Sequence, residues 1–142
     1  MKKVKEIMTQ SPVTVTPQDN IYEIAVKMKE HDTGFIPVVA SEGSDRLIGV
    51  VTDRDLVIRG YADKHSGSTA VDVVMTKNLQ TATADMSVDD AAELMAEQQV
   101  RRLPVTEGDR LIGVISIGDM AVKHIFVDNA GEALSDISQQ IH

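Results

Sequence analysis

Sliding the chain along itself shows that it is written twice. At an offset of 67 residues, Val4, Met8, Thr9, Thr14, Thr16, Ala25, Met28, Glu30, Pro37 and Val38 fall on identical residues at Val71, Met75, Thr76, Thr81, Thr83, Ala92, Met95, Glu97, Pro104 and Val105. Three residues then drop out. At offset 64, Asp45, Arg46, Leu47, Ile48, Gly49, Val50 and Asp55 meet Asp109, Arg110, Leu111, Ile112, Gly113, Val114 and Asp119. Shared composition does not supply that many identities across one gap. A repeat this long and present only twice cannot build a solenoid, which needs at least three units, so two units are expected to bury their faces on each other.

Each copy reads alike. Residues 13–16 alternate apolar and polar as a half-buried strand does, with 80–83 as a weaker partner. Ile21, Ile24, Ala25 and Met28, and again Val88, Ala91, Ala92 and Met95, recur at the spacing of an amphipathic helix. Asn20 with Glu23 and Ser87 with Asp90 mark the helix starts, a side-chain cap with an acid three residues on. Residues 35–39 and 102–105 predict second strands, whose Pro37 and Pro104 lack a ladder donor and suit an edge or a strand start. A turn rich in Gly, Ser and Asp leads to third strands at 47–51 and 111–115. A second helix follows Thr52 and Ser116. Short lead-ins at 4–8 and 71–75 precede the copies, and the polar stretch 59–69 reads as a linker. The expected organisation is residues 4–60, a linker at 61–70, residues 71–127, and a tail at 128–142. In that tail Ala130, Leu134, Ile137 and Ile141 recur at helical spacing.

Composition narrows the function. With 142 residues the chain can bury a core without metals or disulfides. It has no cysteine, which removes thiolate catalysis and Cys-bearing zinc sites and fits a reducing compartment. Lys plus Arg is 14 against 22 Asp plus Glu, a formal charge of −8, so the averaged field repels nucleic acid and anionic membranes. Two Phe, two Tyr and no Trp supply no stacking platform for single strands. No segment has the form of a signal peptide or the apolar length of a membrane span. A cytoplasmic protein is expected, with no membrane contact and no direct binding of nucleic acid.

The residues that repeat most closely resemble a tandem pair of CBS domains, the Bateman module. They are Met8-Thr9 and Met75-Thr76, Ile36-Pro37-Val38 and Leu103-Pro104-Val105, and two copies of one closing motif. The first copy reads LIGVVTDRDL over 47–56 and the second LIGVISIGDM over 111–120. The resemblance covers residues 4 to 126. It implies an α+β fold of two βαββα repeats, packed sheet to sheet about a pseudo-twofold axis. It also implies a regulatory module that senses an adenosine-containing ligand (AMP, ADP, ATP, S-adenosylmethionine or NAD) as effector and acts on a partner protein. Family members often assemble as dimers of pairs, so a homodimer is expected, with an unidentified regulated protein.

Site residues follow from the same resemblance. Asp55 and Asp119 match the family's ribose-binding acid, and the hydroxyls of Thr52 and Ser116 lie near the phosphates. The chemistry is sound: a carboxylate accepts hydrogen bonds from both hydroxyls of a ribose, and free N–H groups at a helix start receive phosphate. The bland reading of Thr52-x-x-Asp55 and Ser116-x-x-Asp119 is a hydroxyl cap with an acid in the first turn, and one hydroxyl can cap and bind at once. The copies differ around this motif. Arg54 in the first is Gly118 in the second, whereas Arg101 and Arg102 in the second stand where the first has Gly34 and Phe35. All three arginines are phosphate candidates. For the base the family implies Val13, Thr14 and Ile36 in one copy and Gln80, Thr81 and Leu103 in the other, with core packing the alternative for Ile36 and Leu103. His31, His65, His124 and His142 lack a second ligand at metal spacing, so no metal site is expected. His124 with Lys123 suits the end of a helix. The methionines at 28, 86, 95 and 120 read as core filler. No catalytic constellation is present, and no enzyme activity is expected. The competing reading is a protein-interaction or dimerisation module that needs no nucleotide.

Overall fold

The computed structural model describes residues 2–122. The tail at 128–142, with His124, Lys123 and His142, lies outside the described residues. The chain forms two compact units, one of residues 12–79 and one that joins residues 1–11 to the stretch from 80 onward.

The 12–79 unit is built on the hairpin β2 (Phe35–Val39) and β3 (Leu47–Thr52), in register from Phe35 opposite Thr52 to Val38 opposite Gly49. Helix α2 (Ile21–His31) starts where Asn20 Oδ1 accepts the Glu23 N–H at 2.8 Å. It ends at Asp32 in the left-handed region, φ 50°. Its buried face is Ile21, Ile24 and Met28, whereas Ala25, expected on that face, is exposed. A two-turn segment follows β3: α3 (Asp53–Asp55), then π-helical turns at Leu56–Tyr61. Helix therefore runs into the stretch expected to be linker. The rest of that stretch is held down, because Tyr22 N–H donates to the Gly67 carbonyl and Ile21 N–H to that of Thr69.

The other unit repeats this plan with longer strands. A four-stranded sheet has the order β1 (Thr9–Gln10), β6 (Arg110–Ser116), β5 (Arg102–Glu107), β4 (Ala82–Thr83). β4 runs parallel to β5 and the other pairs are antiparallel. Helix α4 (Val88–Gln98) is capped by Ser87, whose Oγ accepts the Asp90 N–H, and it ends at Gln99 in the same left-handed conformation as Asp32. Here all four expected apolar positions, Val88, Ala91, Ala92 and Met95, are buried. Helix α5 (Ile117–Val122) closes the described chain.

The strands expected at 13–16 and 80–83 are shorter than the alternation suggests. Val15 alone pairs with Val38, and only Ala82 and Thr83 form β4. This explains the prolines: Pro37 lies in β2, an edge strand that beyond β3 meets only Val15, whereas Pro104 lies inside β5, between β6 and β4. Val15 N–H donates to the Pro37 carbonyl and Val39 N–H donates to that of Val15, so the donor missing from Pro37 falls ahead of its neighbour's first bond. Pro104 occupies the equivalent place in β5, one residue before the pairing of Val105 with Ala82.

The sequence repeats and the compact units are cut differently. The lead-in of the first copy, α1 (Val4–Ile7) with β1, packs with the second copy. Val4 N–H donates to the Met86 carbonyl, and Thr9 pairs with Val114 of β6. The lead-in of the second copy, a 3-10 turn at Val71–Val73 with Thr76, packs with the first copy. There Thr76 and Val50 exchange two backbone bonds of 2.8 and 2.9 Å. The repeated Gly49 and Gly113 are where these segments cross. A Cβ on Gly49 would lie 2.8 Å from the Thr76 carbonyl oxygen, and one on Gly113 would lie 2.7 Å from that of Thr9. Each unit has its own core. Val71, Val74 and Met75 join Ile24, Ile36 and Val51 in one, and Val4 and Ile7 join Met95, Leu103, Ile115 and Met120 in the other.

Candidate ligand-binding site

The closing motifs start helices by reciprocal bonding. In the 12–79 unit Thr52 Oγ1 accepts the Asp55 N–H at 3.1 Å while Asp55 Oδ2 accepts the Thr52 N–H at 3.0 Å. In the other unit Ser116 Oγ accepts the Asp119 N–H at 3.0 Å and Asp119 Oδ2 accepts the Ser116 N–H at 3.1 Å. Both motifs are capping boxes whose hydroxyls are half-buried, and each leaves one carboxylate oxygen outside the box.

Beyond the box the two acids diverge. Asp55 is 8% exposed, and the Thr76 hydroxyl donates to its carboxylate, 3.3 Å from both oxygens. Arg59 places Nη1 4.0 Å from Asp55 Oδ1 and donates to the carbonyls of Val74 and Met75 at 3.3 and 3.1 Å. Asp119 is half-buried. Sequence reasoning passed over both partners of Asp55. Arg59 lies four residues after it, the spacing of a helical ion pair, and Thr76 was visible as one of the repeated Met-Thr pairs, although its contact with Asp55 depends on the crossing of the lead-in.

The arginines fall on different sides of this comparison. Arg102 stands directly across the β5–β6 ladder from Ser116, and the Arg101 carbonyl accepts the Ile117 N–H at 3.0 Å. Both arginines are exposed, so two cations flank the Ser116 end of β6. In the first copy the residue across from Thr52 is Phe35, and Asp53 takes the place of Ile117. A Cβ on Gly34 would lie 2.7 Å from Asp53 Oδ2, so the exposed Asp53 carboxylate would have to turn to admit a side chain there. Arg54 is exposed in α3, its N–H bonded to Asp53 Oδ1 at 2.8 Å.

The base candidates divide by burial. Ile36 and Leu103 are 0% and 2% exposed and belong to the cores of their units. Val13 and Thr14 are half-buried beside the Val15 bridge. Gln80 is exposed, and Thr81 is half-buried with its hydroxyl accepting from that of Thr106 at 3.2 Å. Thus Val13, Thr14, Ile36, Thr52, Arg54 and Asp55 share one unit, and Gln80, Thr81, Leu103, Arg101, Arg102, Ser116 and Asp119 share the other.

Comparison with known proteins identifies the family. The CBS domain model matches residues 4–60 and 70–123, so the chain belongs to the CBS domain family as a tandem pair. Members of this family serve as regulatory rather than catalytic modules. Two proteins of Bacillus subtilis (strain 168) match along nearly their whole length. The uncharacterized protein YlbB is 45% identical over 98% of this chain and 93% of its own, and the CBS domain-containing protein YhcV is 42% identical over 99% and 98%. Among solved structures, the CBS domain pair of protein MJ0100, in complex with 5'-methylthioadenosine and S-adenosyl-L-methionine, superposes with a TM-score of 0.76. It is 25% identical and covers 87% of this chain and 96% of that one. Among the described residues no helix is long and apolar enough to cross a membrane, and no group of three His, Asp or Glu could hold a metal ion.

Proposed function

We propose that this protein is a regulatory sensor of an adenosine-containing ligand, and that occupancy of its CBS repeats modulates a partner protein. The observation that carries the reading is the arrangement around Ser116. A half-buried carboxylate, a hydroxyl and two exposed arginines stand on the first turn of α5, the end of β6, and the start of β5 with the residue before it. A carboxylate suits the vicinal hydroxyls of ribose, and a guanidinium suits phosphate. The adenosyl compounds bound by the MJ0100 pair support the ligand class. Val13, Thr14, Gln80 and Thr81 supply partly accessible groups for the base, whereas Ile36 and Leu103 belong to the cores of their units. Thr52 and Arg54 are the equivalent phosphate candidates in the first copy.

A cytoplasmic homodimer fits this reading. Tyr22, Val57, Ile58, Tyr61 and Val73 are large apolar side chains left exposed on the 12–79 unit, Tyr61 by 82%. The competing reading, an interaction module without a nucleotide, has its own support in the capping boxes, which satisfy hydroxyl and acid in both copies without a ligand.

Calorimetric titration of the nucleotide-stripped protein with AMP, ADP, ATP, S-adenosylmethionine and NAD separates the two. Saturable micromolar binding of one of them supports the sensor. Absence of heat across the series at millimolar concentration removes it in favour of the interaction module.

A further inference from the structure

The two lead-in segments share a packing device but differ in its access to solvent. In each, a methionine sulfur lies over a strand glycine. Met75 Sδ is 3.2 Å from where a Cβ of Gly49 would sit, and Met8 Sδ is 2.7 Å from that of Gly113. Met75 is 5% exposed, whereas Met8 is half-buried. Of the other methionines among the described residues, Met28, Met95 and Met120 are buried and Met86 is half-buried. Thioether oxidation follows access, so Met8 and Met86 are the sulfurs among the described residues that an oxidant meets first.

An added oxygen does most at Met8. This residue ends α1, its N–H donating to the Val4 carbonyl at 2.9 Å, and it precedes Thr9, which pairs with Val114 of β6. Its side chain packs against the core of its unit. The Thr9 carbonyl oxygen also lies 2.7 Å from the Cβ position over Gly113, and an acceptor offers no hydrogen bond to a sulfoxide. A sulfoxide is polar, and burying it without a donor is unfavourable. The lead-in has little to set against that penalty. It is held by Val4 and Ile7 in the core, backbone bonds from Val4 and Lys5 to Met86 and Ala84, and a two-residue strand. Met86 itself stands between β4 and α4, inside the unit, and bonds the lead-in through its backbone carbonyl.

We propose that Met8 is a reversible oxidation site: hydrogen peroxide transfers one oxygen to its sulfur, and the resulting sulfoxide releases α1 and β1 from the unit that runs from residue 80 onward. The thioether is oxidised and the peroxide is reduced to water. A methionine sulfoxide reductase reverses the step, two thiols becoming a disulfide as the oxygen leaves in water. No nucleotide takes part, so loss of the sensor reading leaves this site untouched.

In the test the full chain is treated with hydrogen peroxide, oxygen uptake is assigned by peptide mass spectrometry, and backbone opening is read by hydrogen exchange. Met8 is expected to take up oxygen well before Met75. Exchange over residues 4–10 then rises by about tenfold or more while 71–76 keeps its protection, and Tm falls by roughly 5 °C. Methionine sulfoxide reductase with dithiothreitol restores both. Met8→Leu keeps the side chain apolar and of similar volume, so it folds and holds its protection through the same treatment, whereas Met86→Leu opens as the wild type does. Should Met8→Leu not fold, the wild-type exchange before oxidation, after it and after the reductase decides alone. Equal oxidation of Met8 and Met75, a Met8 sulfoxide with exchange over 4–10 unchanged, opening that persists in Met8→Leu, protection by Met86→Leu, or opening that the reductase leaves in place would each overturn the proposal.

Discussion

Gly49 and Gly113 show how a single missing Cβ determines what a segment can pack on. Each lies under the backbone of a lead-in segment, with a carbonyl oxygen and a methionine sulfur within 3.2 Å of where a Cβ would sit. Backbone cannot yield as a flexible side chain does, so Gly49→Ala and Gly113→Ala should each destabilise by about 1–3 kcal/mol, the usual cost of overpacking. Chemical denaturation reads this directly; a loss below about 0.5 kcal/mol in both variants would mean that the crossing relaxes easily. The identity of these glycines was plain in the repeat, as was the spacing of Thr52 and Ser116 to the acids three residues on. The reason for the glycines was not. They answer to Met75-Thr76 and Met8-Thr9, each far away in sequence.

At the scale of elements, the lead-in helix α1 shows how a four-residue helix is kept in place. It cannot hold itself, since so short a helix fixes more chain entropy than its few bonds return. Its buried Val4 and Ile7 enter the core, and Val4 and Lys5 donate to the Met86 and Ala84 carbonyls. Lys5 and Lys3 place ammonium groups 3.1 and 3.7 Å from Asp85 Oδ1. The hydrogen bond from Lys5, then the charges of Lys5 and Lys3, hold the Asp85 carboxyl below its ordinary value of 3.8. A depressed folded-state value stabilises above the unfolded value and is lost as pH falls through the folded one. Thus the contribution of Asp85 is full at neutral pH and fades only below about pH 4. Because the pair is exposed, salt should erase it. NMR titration of the Asp85 carboxyl should give a midpoint below that of an exposed aspartate in low salt and the ordinary one in high salt. An ordinary midpoint in both would show the pair to be without effect. The helices α2 and α4 were legible because their caps and apolar spacing are local. The strands at 13–16 and 80–83 shrank because alternation reports a half-buried segment and not the number of residues a neighbour pairs with.

At the scale of the whole molecule, the exchange of lead-ins makes the 12–79 stretch, and not either sequence repeat, the continuous compact unit. A fragment spanning 12–79 keeps the Val71, Val74 and Met75 side chains in its core, whereas one spanning 4–60 loses all three. Each such side chain is worth about 1.5–3 kcal/mol, against a total of about 5–15 kcal/mol for a domain. The 12–79 fragment should therefore unfold cooperatively in urea by circular dichroism, and the 4–60 fragment should not; equal cooperativity in both would refute the importance of the exchange. By itself the sequence determined the duplication, the order of elements, the capped helix starts and the pair of acids, because these depend on neighbours within a few residues. Tertiary structure alone decided which lead-in serves which copy and which acid is covered. The contacts responsible, Thr76 with Asp55 and Gly49 or Thr9 with Gly113, join residues too far apart for any local pattern to link them.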